Sequence, residues 1–181
     1  MNIKELTKDF DLTVLLPALN EEESLEKIID EINYILRKTD IRYCILVSDN
    51  GSTDRTLAIC KQKNVLLNKE TKKGYGANLV SAINKIDSKY LIFFDCDGSY
   101  PPSEIEKMYN LIKFNNFDLV YGNRLKNQER NSMPFLHRYL GTPVLSLFIR
   151  ILFNNSIRDC NSGMRIMKVQ SFKKINFFCS G

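Results

Sequence analysis

Short apolar runs alternate with amphipathic segments through most of this chain, and that alternation limits the possible folds more than any other feature. Five runs are predicted as strands, at residues 12–16, 43–47, 65–67, 90–94 and 118–121. Nearly every position in them is apolar, which is typical of parallel strands covered on both faces. The sequence therefore predicts an α/β protein with an open, mostly parallel sheet and helices on both faces.

Helices are predicted between the strands. Asn20 is the predicted N-cap of the first, with Glu23 as its capping-box partner, and this helix runs to about Lys38. The following helices are predicted to open at Ser52 or Thr53, to span residues 76–86 and to begin at Pro102. In such a sheet ligands bind at the carboxyl ends of the strands, and the polar motifs of this chain fall at those ends.

Size and composition are those of an ordinary globular protein. The 181 residues suffice for one well-buried domain, and 44% of them are hydrophobic and 26% charged. A net charge of +5 suits phosphate-bearing partners but is too low for a nucleic-acid-binding face, so no nucleic acid partner is expected. The five cysteines form no CxxC pair, which indicates reduced thiols in a cytoplasmic protein.

No export or membrane-spanning segment is expected. The first ten residues lack the apolar stretch of a signal peptide. The longest apolar stretch, residues 144–153, has about half of the ~20 residues that a spanning helix needs, and it contains Arg150. The surrounding residues 133–153 have two interpretations: a pair of core helices, or an amphipathic segment that lies on a bilayer with Arg138 and Arg150 towards the lipid head groups.

The motif with the clearest chemistry is Asp95-Cys96-Asp97, which follows the apolar run 91–94 directly. Side chains alternate along an extended chain, so the two carboxylates are predicted to share one face. Two adjacent carboxylates suit Mg²⁺ or Mn²⁺, above all a cation that also binds phosphate oxygens. The alternative is a strand-end aspartate that caps the helix beginning near Pro102, and this motif alone leaves both interpretations open.

Other motifs place polar or glycine residues near strand ends. Asp49 follows the second strand and would accept hydrogen bonds from a base or ribose, or cap the next helix. Gly74 and Gly76 would bring backbone N–H groups to an anion at a helix start, or form a plain turn. Arg124, after the fifth strand, is a natural phosphate partner, and Arg165 lies beside a glycine turn.

Seven segments occur in a fixed order along the chain: PALNE, DNGSTD, KGYGA, DCDGSYPP, GNR, MPFLHRYLGTPVLS and DCNSGMR. In this order and spacing they resemble the family-2 inverting glycosyltransferases, and among these the enzymes that make polyprenyl-phosphate sugars. The resemblance covers residues 12–167 and implies a glycosyltransferase A-type, Rossmann-like fold. Relatives continue beyond the NFFCSG that ends this chain, so the resemblance also implies a truncated C-terminus.

The resemblance implies a role for each matching residue. The nucleotide sugar would be bound by Pro17, Leu19, Glu21, Asp49, Gly74, Asp95 and Arg165. The metal ligands would be Asp95 and Asp97 with help from Ser99, and the catalytic residues would be Asp97 and the phosphate-facing Arg124. Within one catalytic domain, residues 1–125 would bind the nucleotide sugar, and residues 126–181 would form an incomplete acceptor and membrane-interface part.

The implied reaction is transfer of a hexose from an NDP-sugar to a dolichyl or undecaprenyl phosphate, with inversion and with Mg²⁺ or Mn²⁺ as cofactor. A UDP-glucose type donor is favoured, with GDP-mannose as the second candidate. The protein would lie peripherally on the inner, cytoplasmic face of the membrane, and a membrane-protein partner is consistent with this location. The acceptor phosphate is already ionised, so the mechanism needs no strong base, and the one histidine, His137, is interpreted as structural or facing the head groups.

Other functions remain as alternatives. The first is a truncated, non-catalytic remnant that binds nucleotide, or a partner subunit. A nucleotidyltransferase would carry a basic, glycine-rich loop after the first strand, where this chain has PALNEEES. A dinucleotide-binding oxidoreductase would need GxGxxG at the same place, which this chain lacks.

Overall fold

A computed structural model describes residues 2–123, 142–153 and 157–175 of the chain. The strands are β1 (Leu12–Ala18), β2 (Tyr43–Asp49), β3 (Leu66–Lys69), β4 (Tyr90–Phe93), β5 (Leu119–Tyr121) and β6 (Arg165–Lys168). The helices are α1 (Ile3–Thr7), α2 (Leu25–Leu36), α3 (Thr56–Gln62), α4 (Tyr75–Asn84), α5 (Ile105–Phe114), α6 (Thr142–Phe153) and α7 (Val169–Lys173). A 3₁₀ turn, Pro102–Glu104, leads into α5.

The strands form one six-stranded sheet in the order β3-β2-β1-β4-β6-β5. Strands β1 to β4 are parallel, and Leu15 of β1 lies opposite Leu46 of β2 and Phe93 of β4. Strands β5 and β6 run antiparallel, because Gly122 bonds to Met164 while Lys168 bonds to Asp118. The predicted fold class, an open and mostly parallel sheet with helices, is confirmed.

Burial of β1 shows why the sheet needs cover on both faces. All seven residues of this strand are buried, including the polar Thr13. The side chains of successive strand residues point to opposite faces, so both faces must be covered. On one of them Leu79 and Ile83 of α4 belong to a core cluster with Leu15 and Leu46. Fully burying a leucine contributes about 1.5–3 kcal/mol, so such clusters supply the main stabilisation of the sheet.

Two predicted helix starts are wrong. Helix α2 begins at Leu25, and Asn20 is not its cap: Asn20 has a left-handed backbone (φ 59°) and its side-chain oxygen accepts the N–H of Thr53. Helix α3 begins at Thr56 rather than at Ser52 or Thr53. The predicted caps are used instead to join two neighbouring loops, and short-range helix rules cannot foresee such a partner.

Several strand bounds also differ from the prediction. Strand β1 continues through Pro17 to Ala18, β4 ends one residue early at Phe93, and β6 was not predicted. Only its two middle residues, Ile166 and Met167, are apolar and buried, and so short a run cannot be distinguished from a loop by sequence pattern. Its pairing partner β5 lies more than 40 residues earlier in the chain, so no local signal identifies it.

The chain divides into two compact units, Met1–Val120 with Ile166–Gly181, and Tyr121–Arg165. Within the second unit, the buried hydroxyl of Ser146 on α6 accepts the N–H of Cys160 at 3.2 Å. Gly122 donates its N–H to the Met164 carbonyl, and a Cβ at Gly122 would lie only 3.2 Å from that oxygen. This close approach explains the glycine of GNR. The expected division of function near residue 125 stays a prediction.

Helix α6 exposes most of its apolar side chains. The exposed ones are Val144, Leu145, Leu147, Phe148, Ile151, Leu152 and Phe153. The described part of the apolar segment is therefore not a buried core helix, while its residues 133–141, with His137 and Arg138, lie outside the described residues. Within the ranges that the structure describes, no helix combines the length and hydropathy needed to cross a bilayer.

Candidate functional site

The candidate site lies where the strand order reverses. From β1 the chain continues to β2 and β3 on one side of the sheet, and then returns to β4 on the other side of β1. In an open α/β sheet this reversal leaves a crevice at the carboxyl ends of the two flanking strands. Here those ends carry Pro17 and Ala18 from β1, and Asp95 and Asp97 shortly after β4.

Asp95 and Asp97 both point outward from the core. Both lie in the turn after β4 and not on the strand itself. Cys96 between them is 1% exposed, whereas neither aspartate is buried. The Cys96 thiol donates to the Pro17 carbonyl at 3.4 Å. Burial raises the pKa of this thiol, and the nearby carboxylates raise it further. Cys96 therefore stays neutral and anchors the turn, and both carboxylates face away from it.

Different groups orient the two carboxylates. The hydroxyl of Tyr75 donates to Oδ1 of Asp95 at 2.7 Å. The N–H of Ser99 donates to Oδ1 of Asp97 at 2.9 Å, across a turn in which Gly98 takes a φ of 79°. The Oδ2 atoms of Asp95 and Asp97 accept no hydrogen bond from any residue that the structure describes. One oxygen of each carboxylate is thus available to a cation.

The donor set fits a divalent cation that arrives with a diphosphate. Among the described residues, no group of three or more His, Cys, Asp and Glu side chains could hold a metal ion by itself. Mg²⁺ and Mn²⁺ are commonly held by one or two carboxylates while phosphate oxygens and waters complete the shell. Asp95 and Asp97 fit the role of the two protein carboxylates in such a site. The backbone N–H of Ser99 is bonded to Asp97.

The loops after β1 and β2 are joined by reciprocal hydrogen bonds. The N–H of Asn20 donates to the Ser52 hydroxyl, and Thr53 returns a bond to the Asn20 side chain. Two residues further along each loop, the N–H of Glu22 donates to the Asp54 carboxylate, and the N–H of Arg55 donates to the Glu22 carboxylate. The two loops therefore form one rigid rim beside the crevice, which favours a ligand site that is formed in advance.

Asp49 organises the turn that follows its own strand. It ends β2, is 3% exposed, and its carboxylate accepts the N–H groups of Gly51 and Ser52 at 3.0–3.2 Å. The carboxylate does not cap α3, which begins only at Thr56. A base or ribose would have to share this carboxylate with the turn. The predicted contact of Asp49 with nucleotide stays a prediction.

Asn50 was not predicted as a site residue, but its side chain stabilises the loop before α4 through three hydrogen bonds. Its side-chain amide donates to the carbonyls of Glu70 and Lys72 at 3.1 and 2.8 Å, and its oxygen accepts the N–H of Gly74 at 3.0 Å. Gly74 has a φ of 120°, a conformation that side chains strongly disfavour. Because its N–H is already bonded, an anion at this helix start would need other donors. The signal for Asn50 was its place in DNGSTD, directly after Asp49.

The remaining predicted residues of this rim differ in exposure. Leu19 is 54% exposed at the end of β1, where an apolar side chain can pack against a flat ring. Glu21 accepts a bond from the Ser24 hydroxyl at 3.1 Å, and its charge contributes to the raised pKa of Cys96, which places it near the aspartate turn. Pro17 is buried in β1 and offers its carbonyl to Cys96.

The two predicted arginines have separate outcomes. Arg124 lies outside the described residues. Arg165 belongs to the second unit, where its Nε donates to the Ser162 carbonyl at 2.9 Å and its guanidinium lies 4.9 Å from the centre of the Tyr121 ring. These contacts hold the side chain within its own unit, and its predicted contact with phosphate stays a prediction.

Comparison with known proteins assigns the chain to a family. The model of glycosyl transferase family 2 matches residues 13–176, nine-tenths of the sequence. The chain belongs to this family. The resemblance inferred from the seven motifs is thereby confirmed. All the predicted site residues, from Pro17 to Arg165, fall within the matched range.

Two relatives from Haloferax volcanii are named for sugar transfer. The low-salt glycan biosynthesis hexosyltransferase is 29% identical over 94% of this chain, and the dolichyl-phosphate hexose transferase is 29% identical over 86% of it. The matches span 41% and 65% of those two proteins, so this chain corresponds to only part of their length.

A solved structure supports the fold. Glucosyl-3-phosphoglycerate synthase from Mycobacterium tuberculosis, crystallised with Mn²⁺, UDP-glucose and phosphoglyceric acid, superposes with a TM-score of 0.69. It is 20% identical, and the match covers 93% of this chain and 60% of that one. At this identity the likeness establishes the glycosyltransferase A-type arrangement of the sheet and its helices.

Proposed function

We propose that this chain transfers a hexose from a nucleoside-diphosphate sugar to the phosphate of a polyprenyl lipid, with inversion at the anomeric carbon. The observation that carries the proposal is the carboxylate pair Asp95 and Asp97 beside the β1–β4 crevice of a family 2 chain. The name of one relative, dolichyl-phosphate hexose transferase, supports the acceptor class.

The rim formed by the β1 and β2 loops is the proposed nucleotide site. Leu19 offers an exposed apolar side chain for one face of the base. Pro17, Glu21 and Asp49 are the proposed contacts at the ribose end, since carboxylates accept hydrogen bonds from hydroxyl groups. A uridine nucleotide with glucose is the favoured donor, and GDP-mannose is the second candidate.

Asp95 and Asp97 are the proposed ligands of Mg²⁺ or Mn²⁺, with Ser99 holding Asp97 in place. When bound, the cation offsets the charge that develops on the departing diphosphate. The two aspartates would also set the position of that diphosphate, since each has one oxygen already hydrogen-bonded and one available for ligation. A donor held in this way would be open to attack from the side of the sugar opposite the diphosphate.

The acceptor supplies its own nucleophile. An oxygen of the ionised lipid phosphate forms a bond to the anomeric carbon as the bond from that carbon to the diphosphate breaks, and the nucleoside diphosphate leaves with the electron pair. Because the nucleophile carries no proton, no general base is required. Arg124 and Arg165 are the proposed partners of the phosphate groups, since a guanidinium binds phosphate with two N–H groups.

Helix α6 is the proposed membrane contact. Its exposed leucine, isoleucine and phenylalanine side chains resemble the apolar face of a helix that lies in the lipid interface. Such a helix would bring the catalytic domain to a lipid whose phosphate lies at the bilayer surface. The protein is accordingly proposed to act as a peripheral protein on the cytoplasmic face, with a membrane-protein partner allowed.

Calorimetric titration tests the donor site. UDP, GDP and their sugars are titrated with and without Mn²⁺ into the full chain, Asp97→Asn, and the control Asp9→Asn, which changes an exposed carboxylate before β1. We expect one nucleotide to bind in a Mn²⁺-dependent way, with at least tenfold weaker affinity in Asp97→Asn and unchanged affinity in the control. Absence of Mn²⁺-dependent binding by the folded wild type would contradict the proposal.

A transfer assay separates the enzyme from the non-catalytic alternative. The donor identified by calorimetry is incubated with a polyprenyl phosphate in detergent micelles, and the lipid-linked sugar is measured by mass spectrometry. Product formation that Asp97→Asn abolishes supports transfer. Nucleotide binding without product over long incubation would favour the remnant or partner-subunit interpretation.

A further inference from the structure

A hydrogen bond between Tyr75 and Asp95 joins the start of α4 to the turn after β4. Tyr75 has no role in the function proposed above. The phenol hydroxyl donates to Oδ1 of Asp95 at 2.7 Å, although the tyrosine is 51% exposed. Water competes for an exposed hydrogen bond, so such a bond constrains geometry only where both of its ends are held by other contacts.

The tyrosine end is held by β2. Tyr75 is the first residue of α4 and follows Gly74, whose N–H bonds to Asn50. One turn later, the buried Asn78 side chain donates to the Ser48 carbonyl at 2.8 Å and accepts the Ser48 hydroxyl at 2.6 Å. Both contacts fix the first turn of α4 against the end of β2, and so they fix the position from which the phenol reaches out.

The aspartate end is held by β1. Cys96, the next residue, is buried and bonds to the Pro17 carbonyl, so the backbone of Asp95 cannot shift freely. With both ends held, the phenol hydroxyl occupies Oδ1 and leaves Oδ2 as the oxygen available for ligation. Asp97 needs no such partner, because the N–H of Ser99 in its own turn orients it.

We infer that Tyr75 is a positioning residue that orients the Asp95 carboxylate to bind the cation through one oxygen, an inference that rests on the proposed function. The hydroxyl selects the carboxylate rotamer before the donor arrives, which lowers the entropy lost on binding. Tyr75 thus links the loop that Asn50 holds to the carboxylate that is proposed to bind the cation.

Tyr75→Phe tests the inference, because it removes the hydroxyl and keeps the ring. Tyr34→Phe is the matched control, since Tyr34 is also an exposed tyrosine but lies on α2. The affinity for UDP is measured by calorimetry at a series of Mn²⁺ concentrations and in EDTA. We expect Tyr75→Phe to weaken the Mn²⁺-dependent affinity about three- to tenfold and to leave the affinity in EDTA and the thermal midpoint unchanged.

Each outcome has a definite meaning. Equal Mn²⁺-dependent affinities for Tyr75→Phe, Tyr34→Phe and the wild type would overturn the positioning role while leaving the donor site intact. A loss in Tyr75→Phe that is equally large in EDTA would also overturn it, because the hydroxyl would then contact the nucleotide itself. A wild type without any Mn²⁺-dependent UDP or GDP binding would remove the proposed function, and this inference with it.

Discussion

Cys44 shows how a single buried group makes stability depend on pH. Burial in β2 raises the pKa of its thiol from the ordinary 9.0 to about 11, an effect that the nearby Thr13 hydroxyl partly offsets. Between these values the unfolded chain releases the proton and the folded chain keeps it. The free energy of unfolding must therefore fall as pH rises from about 9 to 11, and this contribution is fully present below pH 9.

The variant Cys44→Ala isolates this contribution. We expect the free energy of unfolding of the wild type to fall by about 1–2 kcal/mol more than that of Cys44→Ala between pH 9 and 11, as measured by urea denaturation. The control is Ile45→Val, which alters a buried neighbour without an ionisable group and should keep the wild-type slope. Parallel slopes for the wild type and Cys44→Ala would contradict the prediction.

The aspartate turn shows which residue-level features a sequence reveals. The abrupt end of an apolar run placed Asp95 and Asp97 correctly at a strand end, and the buried Cys96 keeps both carboxylates outward although β4 ends at Phe93. The Ser99 contact is local and follows from a glycine turn. The Tyr75 contact spans 20 residues, so no spacing rule could have predicted it.

At the scale of elements, hydrogen bonds between distant loops determine where helices begin, which local capping rules cannot predict. Strands β1, β2 and β4 were predicted well, because continuous apolar runs determine them. The starts of α2 and α3 were wrong, because Asn20 and Thr53 bond to each other rather than to their own helices. The loop geometry of the site thus depends on pairs of side chains that only the folded sheet brings together.

Asn50 connects the loop after β2 to the loop between β3 and α4, and this connection can be tested directly. Asn50→Asp keeps the acceptor for the Gly74 N–H but loses both donors to Glu70 and Lys72 and places a charge beside their carbonyls. We expect the free energy of unfolding in urea to fall by about 2 kcal/mol. Asn115→Asp, which loses one donor to Leu111 at an exposed helix end, should cost under about 1 kcal/mol. Equal losses would show that the loop does not depend on Asn50.

At the scale of the whole molecule, the two compact units present different surfaces. The unit that contains β1 to β4 buries the apolar residues of β1, β2 and β4 in the sheet, whereas α6 in the other unit carries a run of exposed ones. Composition alone did not separate the two interpretations of residues 133–153, since a core helix and an interfacial helix are both rich in apolar residues. Most apolar side chains of α6 are exposed in this chain, and this exposure leads to a prediction about membranes.

Helix α6 is expected to bind the chain to lipid vesicles. Phe148 and Phe153 are 59% and 72% exposed, and transfer of two such rings into the interface favours binding by a few kcal/mol. In co-sedimentation with vesicles of phosphatidylcholine and phosphatidylglycerol, the double variant F148S/F153S should bind at least tenfold more weakly than the wild type. F114S removes an equally exposed phenylalanine from α5 and should bind like the wild type. Equal losses in both variants would indicate unspecific adhesion of exposed rings, and a wild type that stays in the supernatant would exclude α6 as a membrane contact.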